Sequence, residues 1–115
     1  MAEIPDPIKK QCEEKGGLEG IIAQLPEAKT LKLKAKLFQA IGDPMRLKIL
    51  YALEDQPLCA CLIKEILRIS DSKLSYHLAV LKEAKLIAGK KQGQWIIYRP
   101  TELGVKLVKL IENSN

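Results

Sequence analysis

The spacing of the apolar residues changes near Lys85. Before that point leucine, isoleucine and alanine recur every three or four positions, which is the period of helices that bury one face. Beyond it, short runs of β-branched and aromatic residues predict two strands. The pattern therefore predicts a mainly α fold with a small β-hairpin.

Glycine and proline divide the helical part into successive helices. Residues 1–26 are polar and interrupted by both residue types, so we interpret them as an N-terminal arm and residues 27–115 as the main domain. In that domain Gly42 ends one helix, and Asp43 and Pro44 begin the next. An aspartate side chain caps a helix, and proline costs no hydrogen bond at the first helical position.

The stretch over residues 70–86 is the one around which the other elements are arranged. Its leucines recur at i, i+4 and i+7, which is one face of a helix, and Ser70 or Asp71 caps its start. A further helix is predicted over residues 58–68, and a short break separates it from this one. Two helices joined in this way, the second with a polar N-terminal half, are typical of a helix-turn-helix.

The outward face of this second helix carries short, polar or cationic side chains near its N-terminus. Such side chains suit a major groove, where they contact base edges and phosphates. We assign Ser72, Ser75 and Tyr76 to base edges or the nearby backbone, and Lys73 to phosphate. His77, the single histidine, is expected to contact phosphate or to pack. The alternative is an ordinary amphipathic surface helix.

A polar loop separates the two predicted strands and would form the tip of a hairpin. Residues 89–94 read Gly-Lys-Lys-Gln-Gly-Gln, which predicts a basic turn, the wing of a winged helix. We expect Lys90 and Lys91 to contact phosphates, and Gln92 and Gln94 to reach the minor groove or the adjacent backbone. The alternative for each lysine is a solvated turn residue.

A last helix follows Pro100, with Thr101 as its predicted cap. One apolar stripe runs along it, formed by Leu103, Leu107, Leu110 and Ile111. Because we expect the core to be complete before this helix, the stripe is interpreted as a dimer surface. The sequence thus predicts a homodimer formed through the terminal helices.

Charge and composition agree with a nucleic-acid partner. The 115 residues amount to about one domain and carry a net charge of +5, with a pI of about 9.1. Between Lys64 and Arg99 there are eight basic and three acidic residues. No apolar run approaches the length of a membrane span, and no secretory signal is evident. We expect a cytoplasmic protein that does not bind membranes.

Three cysteines form the second chemical feature of the chain. Cys59 and Cys61 flank one alanine just after Pro57, and Cys12 lies in the arm. Thiolates are soft ligands, and helix N-terminal amides favour the thiolate form. Two thiolates are few for tight binding, and Cys12 is the only cysteine left to supply a third.

Two other interpretations of the cysteines remain open. They could be small buried apolar residues, or a pair that oxidises to a disulfide and switches DNA binding without metal. An enzyme is disfavoured, because the chain has no Cys-x-x-Cys, no glycine-rich phosphate loop and one histidine to serve as a base.

The chain resembles the ArsR/SmtB family of winged-helix repressors over roughly residues 31–99. The resemblance rests on five segments, which together are specific: Phe38–Leu50, Leu58–Leu62, Ser72–Leu81, Ala84–Ile87 and Tyr98–Pro100. It implies a homodimer that binds operator DNA without any cofactor and releases it when an effector binds.

The resemblance also implies an effector. In the family, a Cys-x-Cys on this helix senses As(III) and Sb(III) or Cd(II) and Pb(II), so the implied ligands are Cys59 and Cys61 with Cys12. The arsenic type carries a further cysteine where this chain has Lys64. The arm-plus-pair arrangement of the cadmium and lead branch fits this chain better, although that branch normally has two arm cysteines and this chain has one. The resemblance implies no zinc site of the family's type in this chain, since residues 101–115 contain no histidine. An effector-independent winged helix remains an alternative.

Overall fold

The structure is a computed structural model that describes residues 3–113. In chain order, its elements are α1 (Asp6–Glu14), α2 (Gly17–Gln24), α3 (Ala28–Ile41), α4 (Pro44–Leu53), β1 (Leu58–Cys59), α5 (Ala60–Leu67), α6 (Asp71–Glu83), β2 (Ile87–Gln92), β3 (Trp95–Pro100) and α7 (Glu102–Glu112). The mainly helical winged helix-turn-helix fold is confirmed. None of the described helices is long and apolar enough to cross a membrane.

The chain divides into two compact units, Met1–Lys34 and Ala35–Asn115, with the boundary inside α3. The first unit contains α1 and α2, whose side chains are half-buried or exposed. The second unit contains the helix-turn-helix, the sheet and the buried core.

The core of the second unit is built from the apolar faces that the helical period predicted. Each helix from α3 to α7 contributes at least one buried apolar residue, and the strands contribute three more. The buried apolar side chains are Ala40, Ile49, Leu50, Leu53, Leu58, Ile63, Leu67, Leu74, Leu78, Leu81, Leu86, Ile87, Tyr98 and Val108.

The sheet has three antiparallel strands in the order β1-β3-β2, where the sequence predicted only a hairpin. The prediction of a helix over residues 58–68 was wrong at its start. Leu58 pairs with Tyr98 and Cys59 with Ile97, and helix α5 begins only at Ala60. A two-residue strand shows no alternation of its own, so pairing with the distant strand β3 decides its conformation.

The wing is longer and its turn tighter than the sequence suggested. The predicted loop over residues 89–94 is wrong, because β2 continues to Gln92 and pairs there with Trp95. The turn is Gly93-Gln94, and Gly93 has a φ of +63°, which favours glycine. Gly89 lies within the strand, where an added Cβ would stand 2.8 Å from a ring carbon of Tyr98. That glycine leaves room for a core tyrosine.

Helix α7 belongs to the core, contrary to the expectation that the core is complete without it. Val108 and Gly104 are buried, whereas Leu103 is 39% exposed. Thr101 is the cap, as predicted, since its Oγ1 accepts from the Gly104 amide at 3.1 Å. The same hydroxyl donates to the Lys85 carbonyl at 2.6 Å, which ties the start of α7 to the segment between α6 and β2.

Candidate DNA interface and thiol site

Helix α6, which we call the recognition helix, begins at a defined cap. Ser70 Oγ accepts from the Lys73 amide at 3.2 Å, so Ser70 rather than Asp71 is the capping residue. Asp71 forms an ion pair with Lys64, with Nζ and Oδ1 2.8 Å apart. That contact joins α6 to the preceding helix α5 and offsets a negative charge that would otherwise repel phosphate.

The face of α6 opposite its buried leucines is open. Ser72, Lys73 and Ser75 are exposed, and Tyr76 is 61% exposed. His77 is half-buried. The described structure therefore presents two hydroxyls, an ammonium and a phenol together on the N-terminal half of the recognition helix.

The four candidate residues of the wing are all exposed, but they occupy different positions in it. Lys90, Lys91 and Gln92 lie on strand β2, and Gln94 lies in the turn. Because neighbours in a strand point to opposite faces, the two lysines project from different sides of the wing. Trp95, which the sequence analysis did not single out, is exposed beside them.

Arg46 is the main residue of this region that the sequence analysis missed. It lies on α4, is only 9% exposed, and its Nη1 is 3.0 Å from His77 Nδ1 on the recognition helix. Its guanidinium carbon lies 5.9 Å from the centre of the Tyr76 ring. A signal was available, because Arg46 is in phase with the buried stripe of Ile49, Leu50 and Leu53.

The predicted cap at Asp43 is confirmed and holds Arg46 in place. Asp43 Oδ1 accepts from the amides of Met45 at 2.8 Å and Arg46 at 3.2 Å. Burial acts to raise the pKa of Asp43, but these hydrogen bonds and the nearby Arg46 charge outweigh it and leave the pKa below its usual value. The carboxylate is therefore ionised at neutral pH.

The thiol pair, Cys59 and Cys61, lies where strand β1 turns into helix α5. Cys59 is the N-cap residue, with extended backbone, and its Sγ accepts from the Leu62 amide at 3.3 Å. Cys61 lies in the first turn of the helix. The two Cα atoms are 5.4 Å apart and the sulfur atoms are joined as a disulfide. Two cysteines at this spacing diverge in a regular helix, and the extended cap residue is what brings them together.

Both members of the thiol pair are accessible. Cys59 is half-buried and Cys61 is exposed. Cys12 is half-buried on α1, in the first unit, and its sulfur is unbonded. Among residues 3–113 no group of three or more histidine, cysteine, aspartate or glutamate side chains is positioned to hold a metal ion.

Comparison with known proteins identifies the family. The family model described as "bacterial regulatory protein, arsR family" matches residues 43–88, from the cap of α4 to the start of β2. The HTH-type transcriptional regulator MJ1325 of Methanocaldococcus jannaschii is 38% identical over 80 residues, which cover 68% of this chain and 90% of that protein. The chain belongs to the ArsR family.

Two further similarities agree with membership of the ArsR family. The arsenical resistance operon repressor of Bacillus subtilis is 37% identical over 73 residues, covering 63% of this chain and 70% of the repressor. The solved structure of reduced HlyU from Vibrio cholerae superposes with a TM-score of 0.65 at 28% identity, covering 73% of this chain and 90% of HlyU. This ArsR-family protein is a DNA-binding transcriptional regulator and not an enzyme.

Proposed function

We propose that this ArsR-family regulator is a homodimeric repressor that leaves its operator when a soft ion binds the thiol pair. It binds DNA in the reduced, ion-free form, in a reducing cytoplasm. The effector is As(III) or Sb(III), or Cd(II) or Pb(II). The observation that carries the proposal is the meeting of two accessible sulfur atoms at the N-terminus of α5, the first helix of the helix-turn-helix.

The donor set fits a soft ion in its chemistry. Thiolates prefer soft and borderline ions over hard ones. The Leu62 amide points at Cys59 Sγ, and such a helix N-terminus stabilises negative charge on sulfur. Since two sulfurs are few, we propose Cys12 of the arm, residues 1–26, as the third donor, from the same or the partner subunit. When bound, the ion supplies bonds that fix the two sulfurs relative to each other.

The thiol pair is connected to both DNA-binding elements. Along the chain, α5 leads into the recognition helix, and Lys64 and Asp71 bridge the two helices. Across the sheet, Cys59 pairs with Ile97, and Ile97 pairs with Lys90 of the wing. Paired residues share a face of a sheet. A change of backbone at Cys59 therefore acts on the wing through β3 as well as on α6 through α5.

The repressor and effector assignments draw support from a relative. The Bacillus subtilis protein described above is a repressor of an arsenical resistance operon. A cysteine three residues after the pair, which the resemblance associates with arsenic sensing, is replaced here by Lys64. We therefore leave the choice between metalloid and divalent metal to the titration below.

A homodimer formed through the terminal helices accounts for apolar side chains that single chains leave in water. Leu103 of α7 is exposed, and so are Leu18, Ile22 and Leu25 of the first unit. Large exposed apolar patches usually mark interaction surfaces. We propose that these helices cover one another in a dimer, with two recognition helices for the two halves of an operator.

Fluorescence anisotropy of the reduced protein on its own upstream DNA tests the proposal. Titration with Cd(II) and with As(III) in separate arms should release the DNA at near-stoichiometric amounts of one ion. Loss of binding only with a thiol oxidant would instead make the protein a redox switch. Binding that ignores every addition would leave an effector-independent DNA-binding protein, and the thiol-sensing proposal would fail.

The redox alternative has an observation in its favour, because the sulfurs of the thiol pair are joined as a disulfide. Its formation from two thiols releases two protons and transfers two electrons to an oxidant such as a peroxide or a small disulfide. In this alternative the same connections from β1 and α5 carry the change to the wing and the recognition helix.

The wing assignment predicts a change in salt dependence. Lys90→Gln should weaken binding to all DNA sequences alike. It should also make the fall of log K with log salt less steep by about 1, since one phosphate contact is lost. Lys91→Gln should do the same. Lys106→Gln on α7 is the matched control, because its exposed ammonium pairs with Glu102. An unchanged slope in both wing variants would mark the lysines as solvated residues.

A further inference from the structure

Arg46 is a buried cation held by backbone carbonyls. Its Nε donates to the Ala40 carbonyl at 2.6 Å, and its Nη2 donates to the Gln39 carbonyl at 3.2 Å. Both carbonyls belong to the last turn of α3, where the helix dipole favours a positive charge. The guanidinium is thus fixed in position before it meets α6.

The third nitrogen of this guanidinium, Nη1, determines the tautomer of His77. Arginine has donors and no acceptor, so the 3.0 Å contact between Nη1 and His77 Nδ1 requires Nδ1 to accept. The imidazole is then neutral, with its proton on Nε2. No hydrogen bond to Nε2 is found among residues 3–113, and Nε2 is not a buried atom. It therefore presents an N–H donor to solvent.

The surroundings of the imidazole also fix its orientation. The rings of Tyr76 and His77 stand edge to face, with centroids 5.4 Å apart, and the Arg46 guanidinium lies beside the Tyr76 ring. One buried arginine on α4 thus contacts two adjacent side chains of the recognition helix. Both are on the half of α6 that we assign to DNA.

We propose that Arg46 is a positioning residue that fixes the tautomer of His77, so that His77 Nε2–H donates to an acceptor oxygen or nitrogen of the operator. The proposal rests on the DNA-binding function proposed above and adds a specific contact to it. A neutral imidazole with a fixed proton can donate to a phosphate oxygen or to an acceptor on a base edge, such as guanine N7 or O6.

Two substitutions of His77 distinguish the roles of its two ring nitrogen atoms. His77→Asn can keep an acceptor near the position of Nδ1, and so keep the Arg46 contact, but it has no donor near Nε2. His77→Gln can place an amide N–H near Nε2. We expect His77→Asn to lose about 2- to 10-fold in operator affinity, the worth of one hydrogen bond, and His77→Gln to retain more of the affinity. Equal affinity for wild type and His77→Asn would overturn the DNA contact.

The nature of the DNA acceptor follows from the same variants. If the acceptor is a phosphate oxygen, His77→Asn weakens binding to the operator and to unrelated DNA by the same factor. If it is a base edge, the variant weakens operator binding alone. Both results support the proposal and assign its partner.

The tautomer itself can be measured without DNA. Because His77 is the single histidine, ¹⁵N spectra of the ring in the free, full-length protein contain one pair of nitrogen signals. At alkaline pH, where an imidazole is neutral, Nδ1 should give the signal of a bare nitrogen and Nε2 that of a protonated one. In Arg46→Lys, which keeps the charge but loses the planar fork, the two signals should move toward each other.

A protonated Nδ1 in the wild type would overturn the role of Arg46, whether or not the protein binds DNA. If Arg46→Lys does not fold, the wild-type spectrum still tests the tautomer, and the variants His77→Asn and His77→Gln still test the DNA contact. A protein with the predicted tautomer that binds no DNA would instead refute the proposed function. The two failures are therefore distinguishable.

Discussion

Replacing Cys59 with serine should abolish the response to the soft ion and leave operator affinity unchanged. Cys59 is the N-cap of α5, and its sulfur accepts from the Leu62 amide. A serine oxygen is among the preferred acceptors at this position, so the helix should begin at the same residue. A hydroxyl is a poor ligand for a soft ion, so the variant loses only the thiolate.

The effect is large because it removes the coupling between ion and DNA entirely. Allosteric coupling is typically about 1–3 kcal/mol, which corresponds to an affinity ratio of about 5–150 with and without effector. Anisotropy should give that ratio for the wild type and a ratio near 1 for Cys59→Ser. Thermal unfolding of both reduced proteins without ion should coincide. A variant that is still released by the ion would show that the site is wrongly assigned.

Two companion variants complete the test. Cys61→Ser should behave like Cys59→Ser, since both sulfurs lie at the same junction of strand and helix. Cys12→Ser decides the third donor: a raised ion concentration for release, with the full affinity ratio retained at saturation, is expected if Cys12 assists the pair. An unchanged titration would show that Cys12 is not the third donor to the ion held by Cys59 and Cys61.

The long helices could be predicted from the sequence because their signals are local and repeated. Asp43 caps α4 and Thr101 caps α7, as their side chains and positions indicated. Three leucines in phase predicted the buried face of α6. Each of these features depends on residues within two turns of one another, so one segment suffices to indicate it.

Contacts between distant segments could not be predicted in this way. Strand β1 exists because Leu58 and Cys59 pair with a strand that lies about 40 residues further along the chain. The phase of Arg46 on α4 indicated that it is buried, but its contact with His77, which lies 31 residues further along the chain, could not be read from one segment. The thiol pair could be predicted only in part. Its position at a helix start was predicted, whereas the extended backbone of Cys59 depends on the pairing of β1 with β3.

A substitution at Gly104 tests how closely α7 packs on the rest of the second unit. An alanine usually stabilises a helix by about 1 kcal/mol relative to glycine. Here an added Cβ would overlap the Leu86 carbonyl oxygen and stand 3.5 Å from Pro100 Cβ. The obstacle is backbone, and the same carbonyl accepts from the Thr101 amide at 3.0 Å, so it cannot move without breaking the start of α7.

We therefore expect Gly104→Ala to destabilise the fold by about 1–3 kcal/mol, the usual cost of overpacking, with the sign opposite to helix propensity. Urea unfolding at one fixed protein concentration measures the change, since the stability of the proposed dimer would depend on concentration. Lys106→Ala is the matched control on the exposed face of α7 and should change stability by less than about 0.5 kcal/mol. A stabilised Gly104→Ala variant would mean that α7 is free to move away from Leu86. Operator affinity should also fall in Gly104→Ala, because Leu86 directly precedes the first strand of the wing.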